Sequence, residues 1–314
     1  MKHIFIVNPA AGEKDITEAL KTQLEKTDMN TDYELYITSF PGDAAAFIKK
    51  TLRENNDEYR FYSCGGDGTL NEVVNGVIGF GNASVTVVPC GSGNDFIKYY
   101  GTADDFSDIK TLISAPTQKI DVLKINGRYA INAVHFGLDS YVLKTMLKVR
   151  RNKLLGGKNA YPTGVLAGFI GGMKTFCRIK ADGISLGNGK ILLCTLANGK
   201  YVGGSYKCAP RSLNNDGLIE VCLANTVPRL KFLCLMNTYK RGGHLEDRRF
   251  KKYLNYMQAR KVEVFSDKEI PVSIDGELVF TKDFTVEIEK SAINFAVPAK
   301  LLKNAYEKAD YIYI

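Results

Sequence analysis

The sequence has little of what metal centres and disulfide scaffolds require. Its three histidines, His3, His135 and His244, show no Cys/His spacing of the kind that holds structural zinc. The seven cysteines, Cys64, Cys90, Cys177, Cys194, Cys208, Cys222 and Cys234, form no CxxC pair and are odd in number. Several lie inside apolar runs such as Leu192-Leu193-Cys194 and Val221-Cys222-Leu223. This argues against a disulfide framework and predicts a cytosolic setting in which cysteines act as small buried hydrophobes. No apolar run approaches the roughly 18 residues of a membrane-spanning helix. The best stretch, Gly164–Met173, is short and glycine-rich. The chain reaches Asn8-Pro9 before an apolar signal region could form, so no signal peptide is expected. Collagen and heptad periods, internal repeats and low-complexity segments are missing as well. So is G-x-x-x-x-G-K-[ST], and Gly66-Asp67-Gly68-Thr69-Leu70-Asn71 fails G-x-G-x-x-G at its last position. A P-loop NTPase is thereby excluded, and a dinucleotide-binding Rossmann reading is weakened.

What is present points to two folded domains. The 314 residues are 45% hydrophobic and 11% aromatic, enough for real cores. Lys and Arg outnumber Asp and Glu by 42 to 34, a formal charge of +8. That excess suits an anionic substrate, a membrane surface or nucleic acid, and equally serves plain solubility. Up to about residue 120 the pattern alternates strand and helix. His3–Val7, Tyr33–Ile37, Tyr59–Ser63 and Ser84–Val88 read as strands. Asp15–Lys26, a helix capped at Asp43, and a helix with Leu70, Val73, Val74, Val77 and Ile78 on one face lie between them. This order implies a parallel sheet covered by helices. Asp15 and Glu18 have capping-box spacing, and so do Thr69 and Glu72.

Beyond residue 120 the texture changes. Asn126-Gly127 between Asp121–Ile125 and Arg128–Ala133 is a two-residue hairpin signal. Gly189–Ala197, Leu218–Ala224, Val262–Phe265, Val272–Ile274, Glu277–Phe280 and Thr285–Ile288 read as short strands of an antiparallel sandwich or barrel. Helical candidates are Tyr141–Arg151, Thr163–Thr175 and Arg229–Lys240. The expected domains are 1–126, α/β, and 127–295, β-rich.

The chemistry concentrates in three loops at the carboxyl ends of first-domain strands: Asn8-Pro9-Ala10-Ala11-Gly12, Gly65–Asn71 and Pro89–Asp95. Ligands of open parallel sheets bind at that edge. Glycines there let backbone N–H groups approach an anion, and the following helix adds positive potential, so phosphate is the natural guest. Asp67, beside such glycines, suits handling Mg²⁺ or its waters. Cys64 and Cys90 flank the loops and read as packing residues, with a redox-sensitive site as the alternative.

NPAAG (Asn8–Gly12), GGDGTLNEVVNG (Gly65–Gly76) and PCGSGNDF (Pro89–Phe96), in this order, resemble the diacylglycerol kinase catalytic domain of soluble bacterial lipid kinases, related to sphingosine and ceramide kinases. Through GGDGT the chain is more distantly similar to NAD kinases. Gly203-Gly204, Ala209-Pro210, Leu213-Asn214-Asn215-Asp216-Gly217-Leu218 and Ile274-Asp275-Gly276-Glu277 fit the lipid-kinase second domain. The resemblance implies a Rossmann-like parallel α/β domain, an antiparallel β-sandwich domain, and a cleft between them where ATP and lipid meet. The tail, 296–314, would return to the first domain.

By the same resemblance, Asn8, Pro9 and Gly12 would lie along the nucleotide and Thr38 would contact it. Gly65, Gly66, Asp67, Gly68, Thr69, Leu70 and Asn71 would hold its phosphates, with Ser92 as the hydroxyl of the third loop. Asp67 would belong to a Mg²⁺–water network. Leu213 and Leu218 carbonyls with the Asp216 carboxylate would form a structural Mg²⁺ site. Glu277 would accept the proton of the lipid hydroxyl, with Asp275 beside it. Asp275-Gly276 and Asn215-Asp216-Gly217 are also good turn chemistry, and a turn can present a carboxylate at a cleft. PCGSGND is closer to the PxGSGN of sphingosine kinases than to the bacterial PLGTAND. The family resemblance implies diacylglycerol as the acceptor, with a sphingoid base, phosphatidylglycerol or a soluble substrate such as NAD as alternatives. A peripheral partner, an anionic membrane surface, is expected from two basic clusters: Lys144, Lys148, Arg150, Arg151, Lys153 and Lys158, and Lys240, Arg241, Arg248, Arg249, Lys251 and Lys252. Nucleic acid is not expected, for no aromatic stacking platform interleaves with the charge. The reading leaves room for a homodimer.

Overall fold

The computed structural model describes residues 1–12, 15–27, 33–91, 93–149 and 160–302, with the backbone alone at 160–162. Ser92, Arg150, Arg151, Lys153, Lys158 and the tail from 303 lie outside the described residues. Contacts divide the chain into two compact units. The first is Met1–Val122, Leu213–Asp216 and the stretch beginning at Glu289; the second is Leu123–Ser212 and Gly217–Ile288.

In the first unit, β1 (Lys2–Val7), β2 (Tyr33–Ile37), β3 (Tyr59–Gly65) and β4 (Ala83–Pro89) are parallel, in the order β2-β1-β3-β4. Val7 stands beside both Ile37 and Cys64, and Gly65 beside Pro89, so the strands end level with one another. β3 is buried throughout, as a strand covered on both faces must be. The helices α1 (Thr17–Lys26), α2 (Asp43–Glu54) and α3 (Asp67–Val77) follow β1, β2 and β3, as the periodicity predicts. α3 buries Leu70, Val73, Val74 and Val77, about 1.5–3 kcal/mol for each side chain removed from water. A short α4 (Ile109–Ile113) ends on the buried Arg60, whose Nη1 donates to Leu112 O (2.7 Å) and Ile113 O (2.8 Å).

Helix starts depart from the capping boxes. α1 begins at Thr17, because the Asp15 carboxylate accepts from Thr17 N at 2.9 Å rather than from a residue one turn on. α2 begins after Gly42 in a left-handed conformation. Asp43 turns backward to accept from Ser39 N and the Tyr36 hydroxyl, each 2.8 Å. α3 begins after Gly66, and Thr69 lies inside its first turn.

β5 (Thr117–Ile125) carries the chain from the first unit into the second, so the division falls within a strand rather than in a linker. Asn126 (φ 46°) and Gly127 (φ 79°) then turn into β6 (Arg128–Ala130), both left-handed as a type I′ hairpin requires. β7 (Ala133–Gly137) leads to α5 (Leu138–Val149) and α6 (Ala160–Gly171). β8 (Thr175–Phe176), β9 (Arg178–Ala181), β10 (Ile184–Leu186), β11 (Lys190–Ala197) and β12 (Ile219–Asn225) follow. After α7 (Arg229–Lys240) come β13 (Leu254–Ala259), β14 (Lys261–Ile274) and β15 (Glu277–Ala296). The pairings of this unit are antiparallel, with β13-β12-β11-β7-β14-β15 adjacent in that order.

The four short strands expected over 262–288 are two long ones. The register of β14 with β15 shifts between Phe265 and Ile270, where Asp267, Lys268 and Glu269 are exposed. That irregularity bends β14 without ending it. Its first half pairs with β9 and its last residues with β7, so one strand serves both layers of the sandwich. Phe136, Leu196, Val221, Val264, Val272 and Val286 fill the space between.

Two histidines are buried uncharged. His3 shares a 2.7 Å hydrogen bond with the Tyr62 hydroxyl, and His244 packs against Tyr239. Burial lowers both pKa values from 6.5 to about 4. The folded state therefore refuses protons that the unfolded chain accepts below about pH 6.5. Stability should be fully present above that pH and fall until about pH 4, by up to about 3 kcal/mol per histidine. Denaturant midpoints measured across this range should drop, and the drop should be shallower in the His3→Gln/His244→Gln double variant.

Candidate functional site

The three glycine loops of the first unit meet at the carboxyl edge of its sheet, and backbone contacts hold them. Asn8 N donates to Cys64 O (3.1 Å), and Asn8 Nδ2 donates to the Thr69 hydroxyl (3.1 Å). Cys90 N and Gly91 N both donate to Gly65 O, at 2.9 and 3.3 Å. Gly66 and Gly91 lie back to back: a Cβ on Gly91 would come within 2.5 Å of the Gly66 Cα. Gly12, at φ 80°, is equally confined, since a Cβ there would meet Cys90 O at 2.3 Å. Thr38 closes the edge on its other side, with its N–H on Val7 O at 2.9 Å and its hydroxyl donating to the same oxygen at 3.3 Å.

Asp67 ties the second loop to the third. Its Oδ1 accepts from Asp95 N at 2.7 Å and from Phe96 N at 3.4 Å, capping the short 3₁₀ turn Phe96–Tyr99. Gly93 leaves room beside Oδ2, where a Cβ would stand at 2.8 Å. Asp95 in turn pairs with Lys98 at 2.7 Å. Gly68 has nothing within 4 Å of a built Cβ, so the start of α3 is unobstructed there. Pro9 is half-buried, and Leu70 and Asn71 are buried beneath the loop. Burial pushes the neighbouring thiols up, Cys90 to about 11 and Cys64 well above its ordinary value, which accords with packing residues.

The second-domain residues divide between the units. Leu213 and Asp216 belong to the first, where Asn214 is buried, donates to the Tyr100 hydroxyl (2.7 Å) and accepts from Asp121 N (2.8 Å). Leu218 belongs to the second, after Gly217 at φ 75°. Asp216 is half-buried. The donors of this turn, two carbonyls and a carboxylate, are all oxygen, which suits a hard divalent cation. Among the described residues no cluster of three or more His, Cys, Asp or Glu forms a metal cage.

Asp275 and Gly276, at φ 46° and φ 91°, are the two central residues of the type I′ turn joining β14 to β15, and Glu277 is the first residue beyond it. Their environments differ. Asp275 is buried and accepts from Ile131 N (2.7 Å), Asn132 N (3.0 Å) and Ala133 N (2.8 Å), anchoring the hairpin to the β6–β7 connection. Glu277 is half-exposed and ion-paired with Arg128. Sequence reasoning missed Arg128. Its signal was the Asn126-Gly127 turn, which sets Arg128 as the first residue of β6.

Comparisons with known proteins bear on the family and the fold. Residues 2–125 match the family model of the diacylglycerol kinase catalytic domain. Residues 132–297 match that of the YegS C-terminal NAD kinase beta sandwich-like domain. A diacylglycerol kinase of Bacillus subtilis (strain 168) is 29% identical over 292 residues, 87% of this chain and 88% of the relative. A diacylglycerol kinase of Staphylococcus carnosus (strain TM300) is 29% identical over 286 residues, 87% of each chain. A crystal structure of a provisionally assigned diacylglycerol kinase from Bacillus anthracis str. Sterne superposes with a TM-score of 0.74 at 23% identity, covering 95% of this chain and 97% of that one.

The Asp275 contacts make a stability prediction. Asp275→Ala leaves three buried N–H groups without their acceptor and should cost about 3 kcal/mol or more in chemical denaturation, whereas Asp275→Asn, keeping one carbonyl oxygen, should cost less. With its α/β phosphate-loop unit and its antiparallel sandwich matched in order along the chain, the protein belongs to the family that joins a diacylglycerol kinase catalytic domain to a YegS-type C-terminal domain, and it is a diacylglycerol kinase-like lipid kinase.

Proposed function

We propose that the protein transfers the γ-phosphoryl group of ATP, with Mg²⁺, to the hydroxyl of diacylglycerol, giving phosphatidic acid. The observation that carries this reading is the locked set of three glycine loops at one sheet edge, with the unobstructed start of α3 among them. Such transfer depends mainly on positioning and on neutralising phosphate charge, and backbone N–H groups at a helix start suit both. The diacylglycerol assignment is supported by the names of the Bacillus subtilis and Staphylococcus carnosus relatives.

In this reading Asn8, Pro9, Gly12 and Thr38 line the nucleotide. Gly65–Asn71 receive its phosphates, and Ser92 adds a hydroxyl. Asp67 would belong to a Mg²⁺–water network that neutralises phosphate charge when the ion is bound, and separately Leu213, Asp216 and Leu218 would hold a structural Mg²⁺. Asp67 has a second task that the loop geometry supports: its Oδ1 keeps the third loop in place. Glu277 accepts the proton of the lipid hydroxyl as its oxygen attacks phosphorus. Arg128 orients the Glu277 carboxylate, and Asp275 holds the turn that carries it. The reaction would run at the cytoplasmic face of a membrane, a setting supported by an odd number of cysteines with no CxxC pair.

Purified Glu277→Gln and Asp67→Asn should each lose about 10²–10⁴-fold in turnover while melting as cooperatively as the parent. Near-parental rates for both would overturn the assignment. The acceptor is tested by Mg²⁺-dependent ATP turnover on detergent-dispersed diacylglycerol, a sphingoid base, phosphatidylglycerol and NAD. Diacylglycerol should be preferred.

A further inference from the structure

The sandwich unit exposes apolar side chains where two of its helices meet. Leu166 and Ile170 on α6 are 61% and 65% exposed, and Leu230 and Leu233 on α7 are 79% and 50% exposed. The two helices are joined there. Arg229, the first residue of α7, donates from Nε to Phe169 O (3.0 Å) and from Nη2 to Ile170 O (2.8 Å), closing the end of α6. Phe169 and Phe232 pack beneath, ring centroids 6.4 Å apart. The four exposed aliphatic side chains thus flank one junction, and they sit on a firm base. Gly164, Gly168 and Gly172 bring α6 close against α5, where a Cβ at Gly168 would stand 2.8 Å from Leu138.

The charge on these three helices is mainly positive, with Asp247 of the segment after α7 set near Lys231. α5 and α7 carry Lys144, Lys148, Arg229, Lys231 and Lys240, and α6 carries no charge at all. The acid of the three helices, Asp139, is half-buried at the start of α5. A watery surface does not call for four exposed aliphatic side chains together, and a patch of this kind marks a contact. Apolar side chains on helices whose charge is mainly positive match the acyl layer and the anionic headgroups of a bilayer. No helix among the described residues is long and apolar enough to cross a membrane, so such contact would be shallow.

We infer that the α6–α7 junction is the point at which the protein enters an anionic bilayer, with Leu166, Ile170, Leu230 and Leu233 inserted among the acyl chains and the flanking lysines and Arg229 at the headgroups. This deepens the lipid-kinase reading and rests on it for the identity of the surface. It moves the weight of membrane contact from charge alone to a specific apolar tip.

The chain supplies its own reporter. Cys234 lies one helical turn beyond Leu230 on the exposed face of α7. Five of the other cysteines are buried, and burial pushes the half-buried Cys90 up to about 11, so a maleimide fluorophore at neutral pH should select Cys234. The labelled full chain is mixed with vesicles of phosphatidylglycerol and phosphatidylcholine. Its emission should shift to the blue and be quenched by doxyl groups on the acyl chains. Leu166→Glu/Leu230→Glu should lower vesicle flotation about tenfold or more, from the lost apolar burial. Its melting and its turnover of a short-chain diacylglycerol dispersed without vesicles should be unchanged. Part of the parental binding should survive high salt, because apolar contact is not screened.

A label that stays in water while the protein floats overturns the inference. So does a double variant that floats like the parent, or one that floats like the parent but changes from dimer to monomer, which would assign the patch to a second copy. Turnover on none of the acceptors would instead overturn the kinase reading, and the flotation result would stand apart from it.

Discussion

The parallel α/β unit depends on backbone touching backbone. Between the loops after β3 and β4, Gly66 and Gly91 approach so closely that a methyl group on Gly91 would overlap the Gly66 Cα. The strands beneath end level, so the two loops leave the sheet side by side. Gly65 O accepts from two N–H groups of the next loop, and Asp67 accepts from two more. This edge is therefore held by direct backbone contacts, and what it presents is amides and a helix start. Preorganisation of this kind is what charge-dominated transfer chemistry rewards.

The β-rich unit solves a different problem. Its carboxylates divide the work by environment. Asp275 is consumed by three backbone donors and holds a hairpin, while Glu277, two residues on and beyond a Gly276 turn, stands half-exposed beside Arg128. A strand places residues two apart on one face, but the left-handed pair Asp275-Gly276 interrupts that rule and sends the two carboxylates to different surroundings. The same unit bears three helices whose charge is mainly positive and which expose Leu166, Ile170, Leu230 and Leu233.

How much of this was legible can be argued residue by residue. α7 is read from the sequence with its observed bounds, because Pro228 precedes it and glycines follow it. The hairpin at Asn126-Gly127 is equally legible, since that dipeptide tolerates two left-handed residues in a row. The helix caps were not. Gly42 and Gly66 start α2 and α3 while Asp43 and Thr69 look outward to other segments, and spacing along the chain cannot say which partner a carboxylate or hydroxyl takes. The fusion of four short strands into β14 and β15 was hidden as well. Exposed Asp267, Lys268 and Glu269 read as a turn until a partner strand is seen to continue past them.

Periodicity, turn dipeptides and the three glycine loops determined a parallel α/β unit followed by an antiparallel one, with the glycine loops at the sheet edge of the first. These are local properties, written in consecutive residues. Only the tertiary structure decided that Leu213–Asp216 packs with the first unit, that Arg128 meets Glu277 across 149 positions, and that Asp67 caps the loop after β4. It also decided that Leu166, Ile170, Leu230 and Leu233 gather at one junction. Each of these joins residues far apart in the chain. Contacts of that range are set by strand order and packing, which no window of sequence contains.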